Sequence, residues 1–353
     1  MKSAIQNLYF YHMILVTGAT GFLGSNLLLQ LTSDNALDQK IVALYRSENR
    51  IDRVQLYFKK HKKAHLFEQI IWKKADILDI PALELVFKNI KFVYHCAALV
   101  SFDPVDEDKL RKVNIEGTAN IVNCCLTFNI EKLCFVSSIA ALGDLLPSKT
   151  SVNEKTEWNP ELEHSDYAIS KFGAEMEVWR AQQEGLKVIV VNPGVILGDS
   201  VGDDWSEGST KIFETVAKGL KFYTKGSTGF VAIADVTKLI QTLMESEIVN
   251  QKFILVAENW SFESLTKCIA KHLQVVAPKY EVKKWQTNVY WRLDWLFTKI
   301  FFKERTLSKA MALSLQSTNF YDNKKIKKVF GFEFKPLEKT LQKLCDSYLK
   351  RLI

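Results

Sequence analysis

Cysteine, proline and glycine are all scarce in this chain, at 6, 7 and 15 of its 353 residues. So little proline and glycine excludes long flexible linkers and collagen-like or low-complexity segments. The cysteines (96, 124, 125, 134, 268 and 345) lie in apolar stretches, with no CxxC pair and no evident Cys/His ligand spacing. That excludes a disulfide framework and reads as small buried hydrophobes in a reducing compartment. No uninterrupted apolar run reaches the roughly 18–20 residues that span a bilayer. The first residues, MKSAIQNLYFYHM, lack the apolar core of a secretion signal. The expected location is therefore the cytoplasm. Met13 opens the first strand-like run and reads as the natural start, with residues 1–12 an upstream extension. No nucleic-acid-binding motif is present, so none is expected as a partner.

What is present is ordinary globular composition, 47% apolar or aromatic and 25% charged, which excludes a disordered chain. The net charge of +7 is uneven: residues 259–353 hold 19 Lys/Arg against 8 Asp/Glu, so the rest of the chain is about −4. A basic C-terminal third is most simply a solvated surface, and its functional alternatives are phosphates, acidic lipids or an anionic ligand.

The first two-thirds alternates short apolar runs with longer helical patterns. Strands are expected at 13–17, 41–45, 70–72, 92–95, 133–137 and 187–191, with helices near 22–32, 52–64, 80–88, 107–129 and 166–184. Gly185 closes the last of these as a cap. This is the rhythm of an α/β fold, a Rossmann-type doubly wound parallel sheet covered on both faces. Strand-like runs at 229–233 and 253–256 are expected to return to that sheet. The division follows: 13–192 plus 229–257 as the nucleotide-binding domain, and 193–228 plus 258–353 as a smaller, mostly helical substrate domain.

The segment ILVTGATGFLGSNLLLQL sets Gly18, Gly21 and Gly24 directly after a strand and at the mouth of a helix. Gly18 permits the turn, Gly21 lets backbone approach a pyrophosphate, and Gly24 lets the helix sit close on the sheet. The helix N-terminus, through Thr20, Phe22 and Leu23 as well, then offers N–H groups to phosphates. The next strand ends in Arg46, where NAD-selective sites usually hold an acid. An arginine suits a 2′-phosphate, so NADP(H) is favoured, with NAD(H) the alternative.

In SDYAISKFGAEMEVW, Tyr167 and Lys171 stand at i and i+4 on one helix face. A tyrosine titrates near pH 10, and bringing it near 7 takes roughly 4 kcal/mol. The lysine and a cationic nicotinamide are the expected suppliers. Ser137 and Ser138, at the carboxyl end of a central strand, offer a hydroxyl to hold the reacting oxygen.

With these residues assembled, the chain resembles the extended short-chain dehydrogenase/reductase superfamily. The ordered motifs are TGATGFLG (17–24), ADILD (75–79), YHCAA (94–98), VNIEGT (113–118), VSSIAALG (136–143), YAISK (167–171) and NPGVILG (192–198). The resemblance implies that Asp76 and Ile77 flank the adenine and that Ala97 and Ala98 line the cofactor. Asn192, Pro193 and Ser137 complete that lining. Aligned on Gly143, Ser138 is the catalytic serine, beside Tyr167 and Lys171. Lys171 also holds the nicotinamide ribose, Asn114 is a supporting asparagine, and His95 is structural. No metal is implied. Family members often dimerise through the helices near 107–129 and 166–184, so a homodimer is the expectation by analogy.

Nucleotide-sugar epimerases of this superfamily usually carry an arginine before a late strand, but 226–239 (GSTGFVAIADVTKL) has none. Sugar 4,6-dehydratases carry Thr-Asp-Glu where this chain has Ser138-Ile139-Ala140. The pattern is most similar to 3β-hydroxysteroid dehydrogenases and dihydroflavonol 4-reductases. The expected activity is hydride transfer between a nicotinamide cofactor and a ketone/secondary-alcohol pair on a small apolar substrate. An NAD-dependent sugar epimerase and a non-catalytic dinucleotide sensor are the alternatives.

The stretch 283–305 (KKWQTNVYWRLDWLFTKIFFKER) remains. On a helix, Trp285, Val289, Leu293, Leu296 and Ile300 share one face. Core packing is the simple expectation, a lid over an apolar substrate the second, and contact with a membrane surface the third. It cannot span a membrane, because Arg292, Asp294 and Lys299 interrupt it.

Overall fold

A computed structural model describes residues 13–34, 39–145, 150–205, 208–301 and 307–351; the proposed extension 1–12 lies outside them. Among the described residues twelve strands follow in chain order: β1 (Met13–Thr17), β2 (Lys40–Tyr45), β3 (Ile70–Lys74), β4 (Ile90–His95), β5 (Lys132–Val136) and β6 (Val188–Pro193). Then come β7 (Val195–Leu197), β8 (Phe222–Tyr223), β9 (Ser227–Ala232), β10 (Gln251–Leu255), β11 (Glu258–Ser261) and β12 (Tyr280–Glu281).

Seven of them form one parallel sheet, in the order β3-β2-β1-β4-β5-β6-β10. Strands β5 and β6 are buried along their whole length because helices cover both faces. Alternate side chains therefore feed two separate cores. Val16, Tyr94 and Val191 meet Leu27, Leu28 and Leu239 on one face, whereas Leu15, Val93 and Val190 meet Ile121, Val122 and Val178 on the other. Each such side chain contributes about 1.5–3 kcal/mol on burial. The strand order reverses between β1 and β4, which opens a crevice at their carboxyl ends.

One expectation needs correction: of the two late runs, only 253–256 joins the large sheet. β10 fills the open edge of β6, from Gln251 opposite Ile189 to Leu255 opposite Pro193. β9 instead pairs with β7 in parallel and with β11 in antiparallel, as a separate three-stranded sheet. The close approach needs glycine: a Cβ on Gly194 would lie 2.4 Å from the Gly229 carbonyl oxygen. A third apolar cluster joins this sheet to the helices Lys211–Ala217, Phe262–Leu273 and Leu337–Lys350, through Trp205, Phe213, Phe230, Ile269, Leu341 and Tyr348.

The helical stretch near 107–129 is composite. A 3₁₀ turn (Pro104–Asp106) and one α-turn (Glu107–Leu110) lead into a π-turn over Arg111–Glu116, after which Gly117–Thr127 is α-helical. Wide π-turns of this kind recur at functional sites, and this one carries Asn114.

Among the described residues, no helix is long and apolar enough to cross a membrane. The helix Lys284–Phe301 departs from the core-packing expectation. Its apolar positions Trp285, Val289, Leu293 and Leu296 are exposed, because its inward contacts are made by polar residues such as the buried Thr287. The side chain of Ile300 lies outside the description.

Candidate active site

The glycine turn sits at the reversal of strand order. Gly18 adopts φ +65°, and a Cβ there would lie 2.6 Å from the backbone nitrogen of Ala97 at the end of β4. Only glycine satisfies both conditions. A Cβ on Gly24 would meet the Gly18 carbonyl oxygen at 2.2 Å, so this glycine seats the helix Phe22–Ser33 on the turn. Gly21 is that helix's N-cap, with no capping side chain and no acid in the first turn. By contrast, Ser165, Ser261 and Asp79 cap their helices with side-chain oxygens. First-turn N–H groups left uncapped beside a glycine turn fit a pyrophosphate.

At the carboxyl ends of β2 and β3, Arg46 and Asp76 come together as an ion pair at 3.6 Å, both well exposed. Glu48, near enough in sequence to offset Arg46, pairs with Lys74 instead. Ile77 is buried against Gly117, where a Cβ would collide with its Cδ1 at 2.5 Å. Asn120 Nδ2 donates to the Ile77 carbonyl at 3.0 Å, a support the sequence reading missed.

Below the turn, Thr17 Oγ1 lies 2.6 Å from His95 Nδ1, and His95 Nε2 lies 3.0 Å from Thr118 Oγ1. Burial, then the charge of Lys171, drives the His95 pKa down to about 3. A neutral imidazole bridging two threonines is structural, as expected. Ala97 rests under Gly18 and Ala98 is exposed beside it. Asn114 is buried and clamps the next residue: Leu99 N donates to its Oδ1 at 2.7 Å, while its Nδ2 donates to Leu99 O and to Ser170 Oγ, both at 2.9 Å. Asn114 thus ties the strand-end loop to the helix that bears the tyrosine. It acts as a positioning residue.

That helix, Asp166–Gln183, begins where Ser165 Oγ accepts from Ala168 N, and it ends just before Gly185 at φ +102°. Tyr167, in its first turn, interacts with the Ser138 side chain and lies against the ring of Phe102 at 5.6 Å. Ser138 Oγ also accepts from Ala140 N. One turn along, Lys171 is 2% exposed, donates to the Val136 carbonyl at 2.8 Å and lies 4.6 Å over the Phe135 ring. Burial lowers its pKa to about 8, against the opposing pull of Glu175 and Cys96. Burial raises the Tyr167 pKa, and the Ser138 side chain offsets this only in part.

The next turn brings a residue that the sequence reading missed. Glu175 is fully buried, with Ser137 Oγ (2.8 Å) and Asn192 Nδ2 (3.0 Å) on one oxygen. Lys252 Nζ (2.9 Å) and Trp179 Nε1 (3.2 Å) occupy the other. Ser137, expected to line the cofactor, gives its single hydrogen to Glu175 and so anchors this network. Asn192 Nδ2 also donates to the Ser138 carbonyl at 2.9 Å, tying the network to the serine that faces Tyr167. The signal available in sequence was the i, i+4, i+8 series Tyr167, Lys171, Glu175.

The residues present fit a nicotinamide dinucleotide. The glycine cradle and the uncapped helix N-terminus suit its phosphates. Asn192 Oδ1 is a buried acceptor without a partner, beside Pro193 at the end of β6. One further grouping escaped the survey of cysteine spacing. Cys268, His272 and Glu338 bring ligand atoms within 4.8 Å of one another on the helices Phe262–Leu273 and Leu337–Lys350. There Glu338 is paired with Lys271 at 3.2 Å and burial raises the Cys268 pKa, an arrangement that favours the thiol.

Comparison with known proteins agrees with this geometry. Residues 16–228, more than half of the chain, match the NAD-binding family described as "male sterility protein". A putative dihydroflavonol 4-reductase of Synechocystis is 26% identical over 278 residues, covering 76% of this chain and 75% of that protein. A UDP-glucose 4-epimerase of Vibrio cholerae is 26% identical over 303 residues, 82% of each. Among solved structures, the yeast methylglyoxal/isovaleraldehyde reductase Gre2, complexed with NADPH, superposes with a TM-score of 0.73 at 20% identity, over 96% of this chain and 99% of that one. The chain therefore belongs to the NAD-binding male sterility protein family, within the extended short-chain dehydrogenase/reductase superfamily, and is an NAD(P)-dependent oxidoreductase.

Proposed function

We propose that this protein reduces a ketone on a small apolar substrate to the secondary alcohol, or runs the reverse, with NADP(H) as the preferred cofactor. The observation that carries the proposal is the convergence of Ser138, Tyr167 and Lys171 at the carboxyl ends of β5 and β6, beside the glycine turn's crevice. Bound nicotinamide supplies the hydride. The Ser138 hydroxyl, which faces Tyr167, turns its hydrogen to the substrate oxygen as negative charge develops there. Tyr167, kept protonated by burial, gives its proton to that oxygen. The Lys171 ammonium, one turn away, then stabilises the phenolate left behind.

The supporting test is NADPH consumption over a panel of aromatic and alicyclic ketones. Tyr167→Phe should lower kcat by about 10²–10⁴-fold while NADPH still binds. Full activity in that variant would refute the reading. Arg46 supports the cofactor preference, because its guanidinium stands at the end of β2 where a 2′-phosphate would be met. Arg46→Ala should weaken NADPH binding and leave NADH binding nearly unchanged; equal effects on both would remove the preference.

Sugar epimerisation is the second reading, favoured by the Vibrio relative's name. Against it stands the 226–239 segment, without the arginine that resemblance to epimerases calls for. Net consumption of cofactor separates the two, since an epimerase consumes none.

A further inference from the structure

The helix Lys284–Phe301 is amphipathic in the reverse of the usual sense. Its sheltered residues are Thr287, Asn288, Trp291, Asp294 and Thr298, a mostly polar stripe. Thr287 Oγ1 donates to the Lys284 carbonyl, and Asp294 Oδ2 accepts from Leu307 N at 2.9 Å. The opposite side presents Trp285, Val289, Tyr290, Leu293 and Leu296, each 45–64% exposed. Single exposed apolar residues are ordinary, but five along one helix are a docking surface. The ribbon of β8 and β12 that leads into the helix exposes a further ring pair, Phe222 and Tyr280, with centroids 5.9 Å apart.

Charge identifies the occupant. Lys283 and Lys284 stand at the start of the helix, Arg292 and Lys299 follow, and its one acid, Asp294, is turned inward to Leu307. The surrounding residues 259–353 carry 19 basic against 8 acidic side chains. A second copy would bring two such segments of like charge together, which opposes pairing through this face. A surface of anionic lipid complements it. Tryptophan and tyrosine suit the depth where headgroups meet acyl chains. At 1.5 Å per residue, this 18-residue helix offers about 27 Å of length to lie along that boundary.

We propose that the Lys284–Phe301 helix docks the protein flat on a membrane bearing anionic lipid, with the Trp285–Val289–Leu293–Leu296 stripe inserted and the lysines against lipid phosphates. The proposal does not depend on which carbonyl compound the enzyme reduces.

The test is co-sedimentation of the full chain with vesicles of phosphatidylcholine alone or mixed with phosphatidylglycerol. The expected result is binding to the mixed vesicles, little to phosphatidylcholine alone, and release in 1 M salt, where screening shortens to about 3 Å. The double variant Leu293→Glu/Leu296→Glu should lose about tenfold or more of the partitioning, since it removes two inserted side chains. Lys284→Ala should lose about fivefold. Both should bind NADPH as the parent does, which shows that they are folded. No binding to mixed vesicles, equal binding to neutral ones, or equal binding by the double variant would overturn the proposal. So would a dimer, seen by light scattering, that the double variant abolishes, because a second copy would then cover the stripe.

Discussion

Replacing Glu175 by glutamine tests whether the buried carboxylate one turn beyond Lys171 sets the charge state of that lysine. The substitution keeps the volume and one acceptor oxygen but removes the charge that holds Lys252 at 2.9 Å. Breaking a fully buried pair by removing one partner costs about 3–5 kcal/mol. Lys252 is a quarter exposed and can turn to water, so about 2–3 kcal/mol is the expected loss at pH 7. The pH dependence gives the sharper signature. Lys171 titrates at about 8 in the folded chain and at 10.5 when exposed. Below pH 8 both states carry the proton. Between 8 and 10.5 the unfolded chain binds it and the folded chain does not, so stability rises with pH across that window. By pH 9.5 the gain is about 2 kcal/mol, from about 1.5 units at 1.36 kcal/mol each. Glu175 is the charge that raises the Lys171 pKa most, so in Glu175→Gln the rise should begin at lower pH. Urea denaturation followed by circular dichroism from pH 6.5 to 9.5 measures both effects, with Lys171→Met as the control that removes this component. Stability within about 0.5 kcal/mol of the parent, with parallel pH curves, would refute the coupling.

Two further substitutions separate the cradle from the scaffold. Gly18→Ala forces a Cβ to within 2.6 Å of Ala97 N at a positive φ, so NADPH binding by fluorescence titration should be lost along with stability. Lys132→Met removes an ammonium that donates to the carbonyls of Leu243, Met244 and Ser246 at 2.7, 3.1 and 2.6 Å. Stripping these buried acceptors should cost about 2–3 kcal/mol in denaturant unfolding, with cofactor affinity unchanged at pH 7.

The sheet was legible because its strands are short apolar runs spaced by helical patterns, and backbone rules then fix their order and direction. The glycine turn was legible for a related reason: a glycine that must accept positive φ against another backbone leaves no other residue type open. β9 was misplaced because local pattern states that a run is a strand, while its partner depends on which edge another strand has already filled. The i, i+4 spacing of Tyr167 and Lys171 was legible, whereas the burial that raises the tyrosine pKa was not, because it depends on the tertiary surroundings.

Glu175 and the Lys284–Phe301 helix are instructive as a pair. A glutamate on a helix is ordinarily solvated, and nothing in the local sequence says that Ser137, Asn192, Trp179 and Lys252 arrive from three other elements and one helical turn to enclose it. Conversely, an apolar helical stripe ordinarily faces the core, and periodicity alone carries no sign. The sign comes from what the rest of the fold leaves open: here the core was already complete, with Phe230, Ile269, Leu341 and Tyr348 closing the second lobe. Asp294 on the polar stripe of the late helix accepts from Leu307 N, and the apolar stripe was left for the outside. Burial of a charge and exposure of an apolar stripe are both expensive unless a function or a partner offsets them. That is why the two departures from pattern mark the positions where this protein's chemistry and attachment are best sought.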